Sequence, residues 1–272
     1  MEISGTRILI TGGSRGIGEA VARELNRRGA HLVLVARNEK LLNEVATGLG
    51  PHAHAVVADL ADPTQVDGLL ARCEAAAGGP IDVLVNNAGL DEIGMFANAQ
   101  SEDVRRIHQV NLLTPIELCR QAVPGMLARN HGQIVNVSSM AAGGAFTGMT
   151  LYASTKGGLT SFTGVLNHEL RRTNIDVTIV ELGPIPTDML SGIDSFEPAR
   201  RSFERTAKLQ LLPNVDRAVV AREVADAIAK GKHSVRLPKR AAAFPIIRSA
   251  PQRILDLILR DLPAQEPQGP LK

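Results

Sequence analysis

"ILITGGSRGIGEAVA", residues 8–22, reads as an apolar strand, a loop and the opening of a helix, with Gly12, Gly16 and Gly18 spaced between the two elements. Glycine lets backbone approach a phosphate closely, and a helix start offers unpaired N–H groups and the positive end of a dipole. Spaced glycines alone could serve only a tight turn. A strand directly before and a helix directly after is the context that a pyrophosphate-binding βα unit needs. Ser14, Arg15 and Ile17 fill the loop between the glycines.

Outward from this unit, short aliphatic runs recur at 7–10, 31–35, 53–58, 81–85, 133–137, 176–180 and 233–235. Segments of helical spacing separate them. One runs from Gly18 through Ala22 and Leu25 to Gly29, a glycine suited to a C-terminal cap. A second opens at Asp62-Pro63 and runs to "GGP" at 78–80, and a third spans 216–230 and stops at Gly231. Strands apolar on both faces, alternating with helices, predict one α/β domain: a doubly wound parallel sheet of about seven strands with helices on both faces. The stretch 183–215 reads as irregular, and no internal repeat is present.

Composition narrows the function. Thirty basic against 28 acidic residues leave a net charge of +2, which gives no electrostatic case for nucleic acid. The N-terminus lacks a basic region followed by a long apolar run, and no apolar stretch reaches the roughly 18 residues of a membrane span. Cys73 and Cys119 form no CxxC pattern, which fits a reducing compartment. A cytoplasmic protein is expected. His52 and His54 are the closest histidine pair, but no third ligand accompanies them, so no metal is expected.

The glycine spacing is Gly-x3-Gly-x-Gly, and further motifs follow in order: Asp59-Leu60 after the third strand, "NNAG" at 86–89, Asn111 in "IHQVNLL", Ser139 ending "IVNVSS", "YASTK" at 152–156 and "ELGPIPTDM" after the sixth strand. With this set, over roughly residues 6–237, the chain resembles the short-chain dehydrogenase/reductase family. The resemblance implies a Rossmann-type catalytic domain over 1–238. It also implies a nicotinamide cofactor held by Gly12, Ser14, Arg15, Gly16, Ile17, Gly18, Arg37, Asp59, Leu60, Asn87, Ala88, Gly89, Tyr152, Lys156, Gly183, Ile185 and Thr187. Family members usually have Pro-Gly after the sixth strand; here Leu182 takes the proline position, and prolines stand at 184 and 186.

Tyr152 is the chain's only tyrosine, in a sequence without tryptophan and with 3% aromatics. One buried phenol sealing a helix contact is the plain alternative. Residues i and i+4 share a helix face, so Tyr152 and Lys156 project together. A phenol of pKa about 10 is a poor proton donor at neutral pH, and a neighbouring ammonium would bring it towards the working range. Tyr152 is then the expected general acid in carbonyl reduction and the base in alcohol oxidation. By resemblance, Ser139 holds the same substrate oxygen, Lys156 binds the nicotinamide ribose and Asn111 positions a water. Ser138 should face the other way.

At the end of the second strand, where NAD-binding proteins of this fold carry an acid, stand Ala36 and Arg37. Arg37 and Arg15 suit a 2′-phosphate, so NADP(H) is the expected cofactor. The expected partners are a lipophilic small-molecule carbonyl or alcohol, suited to an apolar pocket, and a second copy of the chain. The family commonly forms dimers or tetramers through two long helices, here about 112–129 and 153–172, the second rich in small residues (Ala153, Ser154, Gly157, Gly158, Ser161, Gly164). Two other readings stand: a 3-oxoacyl-thioester reductase, for which Arg129, Arg171 and Arg172 could form a carrier-binding patch beside the active site, and a non-catalytic nucleotide sensor.

Beyond the catalytic domain, 239–262 reads as an amphipathic extension, with Ile254, Leu255, Ile258, Leu259 and Leu262 on one stripe, and 263–272 as a frayed tail. The extension could pack on its own fold or a neighbour, lie on a membrane surface, or close over the substrate. Met189, Leu190, Ile193, Phe196, Phe203, Leu209, Leu211 and Leu212 would supply the aliphatic wall opposite.

Overall fold

The structure, a computed structural model, describes residues 1–143, 146–185, 192–193, 195–208 and 213–239. Seven strands make one parallel sheet in the order β3-β2-β1-β4-β5-β6-β7: β1 (Arg7–Thr11), β2 (His31–Ala36), β3 (Ala53–Val57), β4 (Val83–Asn86), β5 (Gly132–Ser139), β6 (Ile175–Leu182) and β7 (Ser234–Leu237). The order reverses between β1 and β4, and at such a switch point a crevice opens beyond the carboxyl ends of the strands. The architecture is the doubly wound α/β fold that the sequence predicts.

Alternation along each strand builds two cores. Ile8, Ile10, Leu32, Leu34, Val83 and Val85 face one side, where α1 (Gly16–Arg27) and α9 (Arg217–Lys230) bury Val21, Leu25, Val224 and Ile228. Leu9, Val33, Leu84 and Ile134 face the other, under α4 (Leu69–Ala77), α6 (Thr114–Arg129) and α7 (Thr150–Leu170). Two-sided burial is why the strands read as continuous apolar runs. Gly29 lies past the end of α1 at φ +84°, and the following Ala30 N–H returns to the Leu25 carbonyl, closing the helix as the sequence suggests.

Two expectations need correction. The helix opening at Asp62-Pro63 is not continuous: α3 (Pro63–Val66) ends after one turn, Gly68 takes a left-handed φ of +64°, and α4 restarts at Leu69. Gly68 is where the chain changes direction without a Cβ penalty. The stretch 183–215 is not wholly irregular, because α8 (Glu197–Lys208) forms within it. Arg200–Glu204 and Arg201–Glu197 pairs at i,i+4 support that helix on its exposed side. α2 (Glu39–Leu49) and α5 (Ser101–His108) complete the helices needed below.

The two long helices occupy 114–129 and 150–170. The small residues of α7 divide between roles: Gly157 is buried within the fold, and Gly158 packs against Leu112 of its own chain, where a Cβ would meet Leu112 Cδ2 at 3.0 Å. Ser154, Ser161 and Val165 remain on the exposed face. Thr187 and residues 240–272, with the amphipathic extension and tail, lie outside the described residues, as do Met189, Leu190, Leu209, Leu211 and Leu212.

Candidate active site

The glycine loop leaves β1 at Thr11, whose hydroxyl accepts hydrogen bonds from the N–H groups of Asn87 and Ala88, both at 3.0 Å. Asn87 returns its side-chain amide to the Thr11 carbonyl at 2.9 Å. The ends of the two central strands are thereby tied together at the switch point. Thr11 carried no signal in the sequence beyond its place at a strand end.

Beyond this knot runs a groove of about 570 Å³, lined by Gly12, Ser14, Arg15, Gly16, Ile17, Arg37, Asp59, Leu60, Asn87, Ala88 and Gly89. That volume falls in the range of cofactor clefts. Gly18 does not line it but lies beneath, packed on Gly12. Gly12 has φ +70° and faces Ala88, where a Cβ would come within 3.0 Å of Ala88 Cα. Backbone and small side chains thus keep the groove floor low, as an extended dinucleotide requires. At its far end no carboxylate terminates β2: Ala36 is followed by exposed Arg37, and Asn38 caps α2 by accepting the Leu41 N–H at 3.0 Å. Arg217, at the start of α9, also lines the groove. Only tertiary folding brings it there. Asp59 uses its side chain locally, accepting the Ala61 N–H at 3.0 Å.

A second pocket, about 110 Å³, adjoins the groove. Ser139, Tyr152, Lys156, Gly183 and Ile185 line it, together with Met140, Phe146, Met149, Ile193 and Phe203. Tyr152 and Ser139 face this pocket together, and the Ser139 hydroxyl donates to the Leu182 carbonyl at 3.3 Å. The Ser139 hydroxyl also accepts the Ala141 N–H at 3.1 Å, which fixes its rotamer. Ser138 turns to the other side of β5 and bonds the Lys156 carbonyl at 3.0 Å and Thr160 Oγ1 at 2.8 Å. Gly183 is held by its N–H on the Leu237 carbonyl at 2.7 Å, despite the Leu182 and Pro184 flanking it. On the opposite wall Phe203 of α8 stacks on Phe146, centroids 4.9 Å apart.

Lys156 is buried, and its Nζ donates to the Val137 carbonyl at 2.9 Å. Burial brings its pKa down to about 8. Burial pushes the Tyr152 phenol up to about 12, with the charge of Asp91 adding to the rise and the Ser139 hydroxyl opposing it. This corrects the expectation that the lysine draws the phenol downwards. Desolvation of the phenol dominates, and the lysine Nζ stands 5.9 Å from the ring centroid, turned to Val137.

Asn111 lines neither pocket. It sits in a π-helical turn, Gln109–Leu113, between α5 and α6, fully buried. Its Oδ1 accepts the Leu90 N–H at 2.7 Å, and its Nδ2 donates to the Leu90 carbonyl at 2.8 Å and to Thr155 Oγ1 at 3.2 Å. A π turn displaces backbone carbonyls from the α ladder, a distortion concentrated at functional sites. Gly89 is the meeting point: a Cβ there would lie 3.4 Å from Lys156 Nζ and 3.5 Å from Asn111 Oδ1. Below, Asn86 Nδ2 donates to Asn136 Oδ1, and Asn136 Nδ2 to Thr163 Oγ1, both at 2.9 Å, bracing β4, β5 and α7 beneath the site. Sequence reasoning missed this brace, since asparagine inside a strand reads as a breaker.

The basic patch assigned to Arg129, Arg171 and Arg172 is not beside this site. Arg129 donates to the Ile81 carbonyl at 3.0 Å, ahead of β4, at the amino ends of the strands. Arg171 follows α7, whose 21 residues carry it about 30 Å from the Tyr152 end.

The model of the short chain dehydrogenase family matches residues 6–198. The 2,3-dihydro-2,3-dihydroxybenzoate dehydrogenase of Bacillus subtilis (strain 168) is 40% identical over 190 residues, 69% of this chain and 72% of that protein. A short-chain dehydrogenase from Sphingobium yanoikuyae in complex with NADPH superposes with a TM-score of 0.78 at 26% identity, covering 97% of this chain and 98% of the other. The 3-ketoacyl-(acyl-carrier-protein) reductase from Brucella melitensis, complexed with NADH, gives 0.77 at 26%, covering 88% and 99%.

Proposed function

The chain belongs to the short-chain dehydrogenase family, a family of nucleotide-binding oxidoreductases, and on that premise we propose that it is an NADP(H)-dependent reductase of a lipophilic ketone or aldehyde. The observation that carries the reading is that Ser139, Tyr152 and Lys156 together line an apolar pocket that adjoins the glycine-floored groove. When bound, the nicotinamide supplies or accepts the hydride at the carbonyl carbon.

The groove residues do the binding. Gly12, Ser14, Gly16 and Ile17 present backbone to the pyrophosphate at the start of α1. Arg15 and Arg37, without an acid at the end of β2, suit the 2′-phosphate through forked donors. Asp59 and Leu60 would flank the adenine, Asn87, Ala88 and Gly89 would hold the cofactor along the middle of the groove, and Gly183 and Ile185 would meet the carboxamide, a role also proposed for Thr187, which lies outside the described residues. Lys156 holds the nicotinamide ribose. Tyr152 gives its proton to the carbonyl oxygen, and Ser139 orients that oxygen by hydrogen bonding. The phenol carries its proton throughout the neutral range, as the acid role in reduction requires. The π turn at Asn111 supports a water-filled route by which Lys156 and the phenol regain a proton.

Exposed Leu127 and Val165 on the two long helices, with exposed Leu113 in the π turn just ahead of the first, support assembly into a dimer or tetramer through that face. No helix among the described residues is long and apolar enough to cross a membrane; we place the reaction in the cytoplasm. The thioester-reductase reading is weakened by the position of Arg129 and Arg171 away from the pocket. A nucleotide sensor would have no use for the Ser139–Tyr152 pair. Following NADPH oxidation over a panel of aliphatic, aromatic and thioester-linked carbonyls tests all three readings. Turnover of apolar ketones is expected, and turnover of thioester substrates alone would replace this assignment.

A further inference from the structure

Among the described residues lining the pocket at Tyr152, one side chain is acidic. Asp91 follows the 86–89 motif by two residues and reaches both the groove and the pocket. Its neighbours in the pocket are mostly aliphatic or aromatic: Ile93, Met149, Ile193 and Phe203. Its Oδ2 stands 3.0 Å from where a Cβ on Gly192 would be, so that glycine leaves room for the carboxylate against the wall. The adjacent Glu92 is spent on an ion pair with Arg106. Burial holds the Asp91 carboxyl above the usual range, with a hydrogen bond from its own backbone and the charge of Arg15 opposing this and Glu92 adding to it, and its charge reaches the Tyr152 phenol. The half-buried carboxylate faces a mostly apolar wall, where a further donor would stabilise it.

We infer that Asp91 is a specificity-determining residue, and that the substrate carries a hydrogen-bond donor, hydroxyl or ammonium, on the part remote from its carbonyl. The inference rests on the reductase reading above and narrows its substrate class. Donation to the carboxylate orients the carbonyl towards Tyr152, whereas a carboxylate or phosphate on the substrate is repelled. Arg200 and Arg201 of α8 do not offset this repulsion, because they pair with Glu204 and Glu197 on the exposed face.

The test uses the full chain loaded with NADPH and a matched series of aryl methyl ketones bearing a hydroxymethyl, aminomethyl, ethyl or carboxylate group on the ring. Dissociation constants of the corresponding secondary alcohols read donor preference without turnover. Hydroxymethyl or aminomethyl compounds should bind at least about tenfold more tightly than ethyl, and the carboxylate most weakly. Which of the two leads identifies a hydroxylated or a cationic substrate. Asp91→Asn should narrow the gap between aminomethyl and carboxylate, and Asp91→Leu should erase the donor preference. The near-isosteric Asn variant keeps the test decisive if the Leu variant does not fold. Equal binding ratios in wild type and Asp91→Asn for all four compounds would overturn the inference. Retained donor preference with no ketone reduced would instead count against the reductase reading alone.

Discussion

A Cβ on Gly18 would stand 2.1 Å from the carbonyl oxygen of Gly12 and 2.6 Å from Nδ2 of Asn87. Neither neighbour can yield, since one is backbone and the other is bonded to Thr11. Gly18→Ala should therefore open the loop, weakening NADPH binding at least about tenfold and destabilising the fold by about 1–3 kcal/mol. Fluorescence titration and thermal melting check this. Wild-type affinity with a wild-type melt would show that the loop has slack.

Tyr152→Phe removes the hydroxyl that faces the pocket beside Ser139 and leaves the ring in its buried place. Reductive kcat should fall by at least about two orders of magnitude, the scale of lost general acid catalysis, with the NADPH dissociation constant changed less than about threefold. Substantial residual kcat in single-turnover measurements would remove Tyr152 from the proton-transfer role.

Lys156 is brought down to about 8 by burial, so its charge is present below that value and lost as pH rises through it. Tyr152, near 12, keeps its proton over the same interval. Reductive kcat/KM should accordingly show a basic limb near 8, and Lys156→Arg, whose cation does not titrate, should move the limb out of range. A profile recorded from about pH 6 to pH 10 that lacks the limb would assign the lysine no charge-dependent role.

Arg37 is exposed at the end of β2, in the groove and beside no terminal acid. Arg37→Asp should invert the ratio of kcat/KM for NADPH to that for NADH by about two orders of magnitude, repelling the 2′-phosphate and accepting a 2′-hydroxyl. Equal kcat/KM for both cofactors in the wild type would defeat the NADP(H) assignment.

His31 of β2 stacks on His52, centroids 4.4 Å apart and planes within 1°. Burial lowers the His31 pKa from 6.5, with His52, Arg7 and His54 acting in the same direction. The unfolded chain then binds the proton more readily, so the stability from this group is present above its unfolded value and lost as pH falls below it. The melting temperature should decline below about pH 6.5, less steeply in His31→Phe. Parallel declines in the two proteins would clear the stack of this role.

Much of this was legible in the chain. Seven apolar runs became seven parallel strands, because the central strands are buried on both faces and so read as nearly continuous apolar runs. The glycine loop was legible because it is local: the spacing, the strand and the helix lie within residues 8–22. The break at Gly68 was not. Helical periodicity persists across a glycine, and only the packing of α4 decides whether the chain bends there.

The sequence by itself determined the fold, the family and the order of the motifs, because hydrophobic period, glycine spacing and the Tyr152-to-Lys156 interval are properties of neighbours along the chain. Tertiary structure decided what depends on distance in space. It set Tyr152 near 12 instead of lower, since burial of the phenol and the direction of Lys156 Nζ are invisible to spacing. It carried Arg217 to the cofactor groove, sent Arg129 to the opposite end of the sheet and set Asp91 against an apolar wall. A charge acquires its meaning from the dielectric and the partners around it, and these exist only once remote segments have packed.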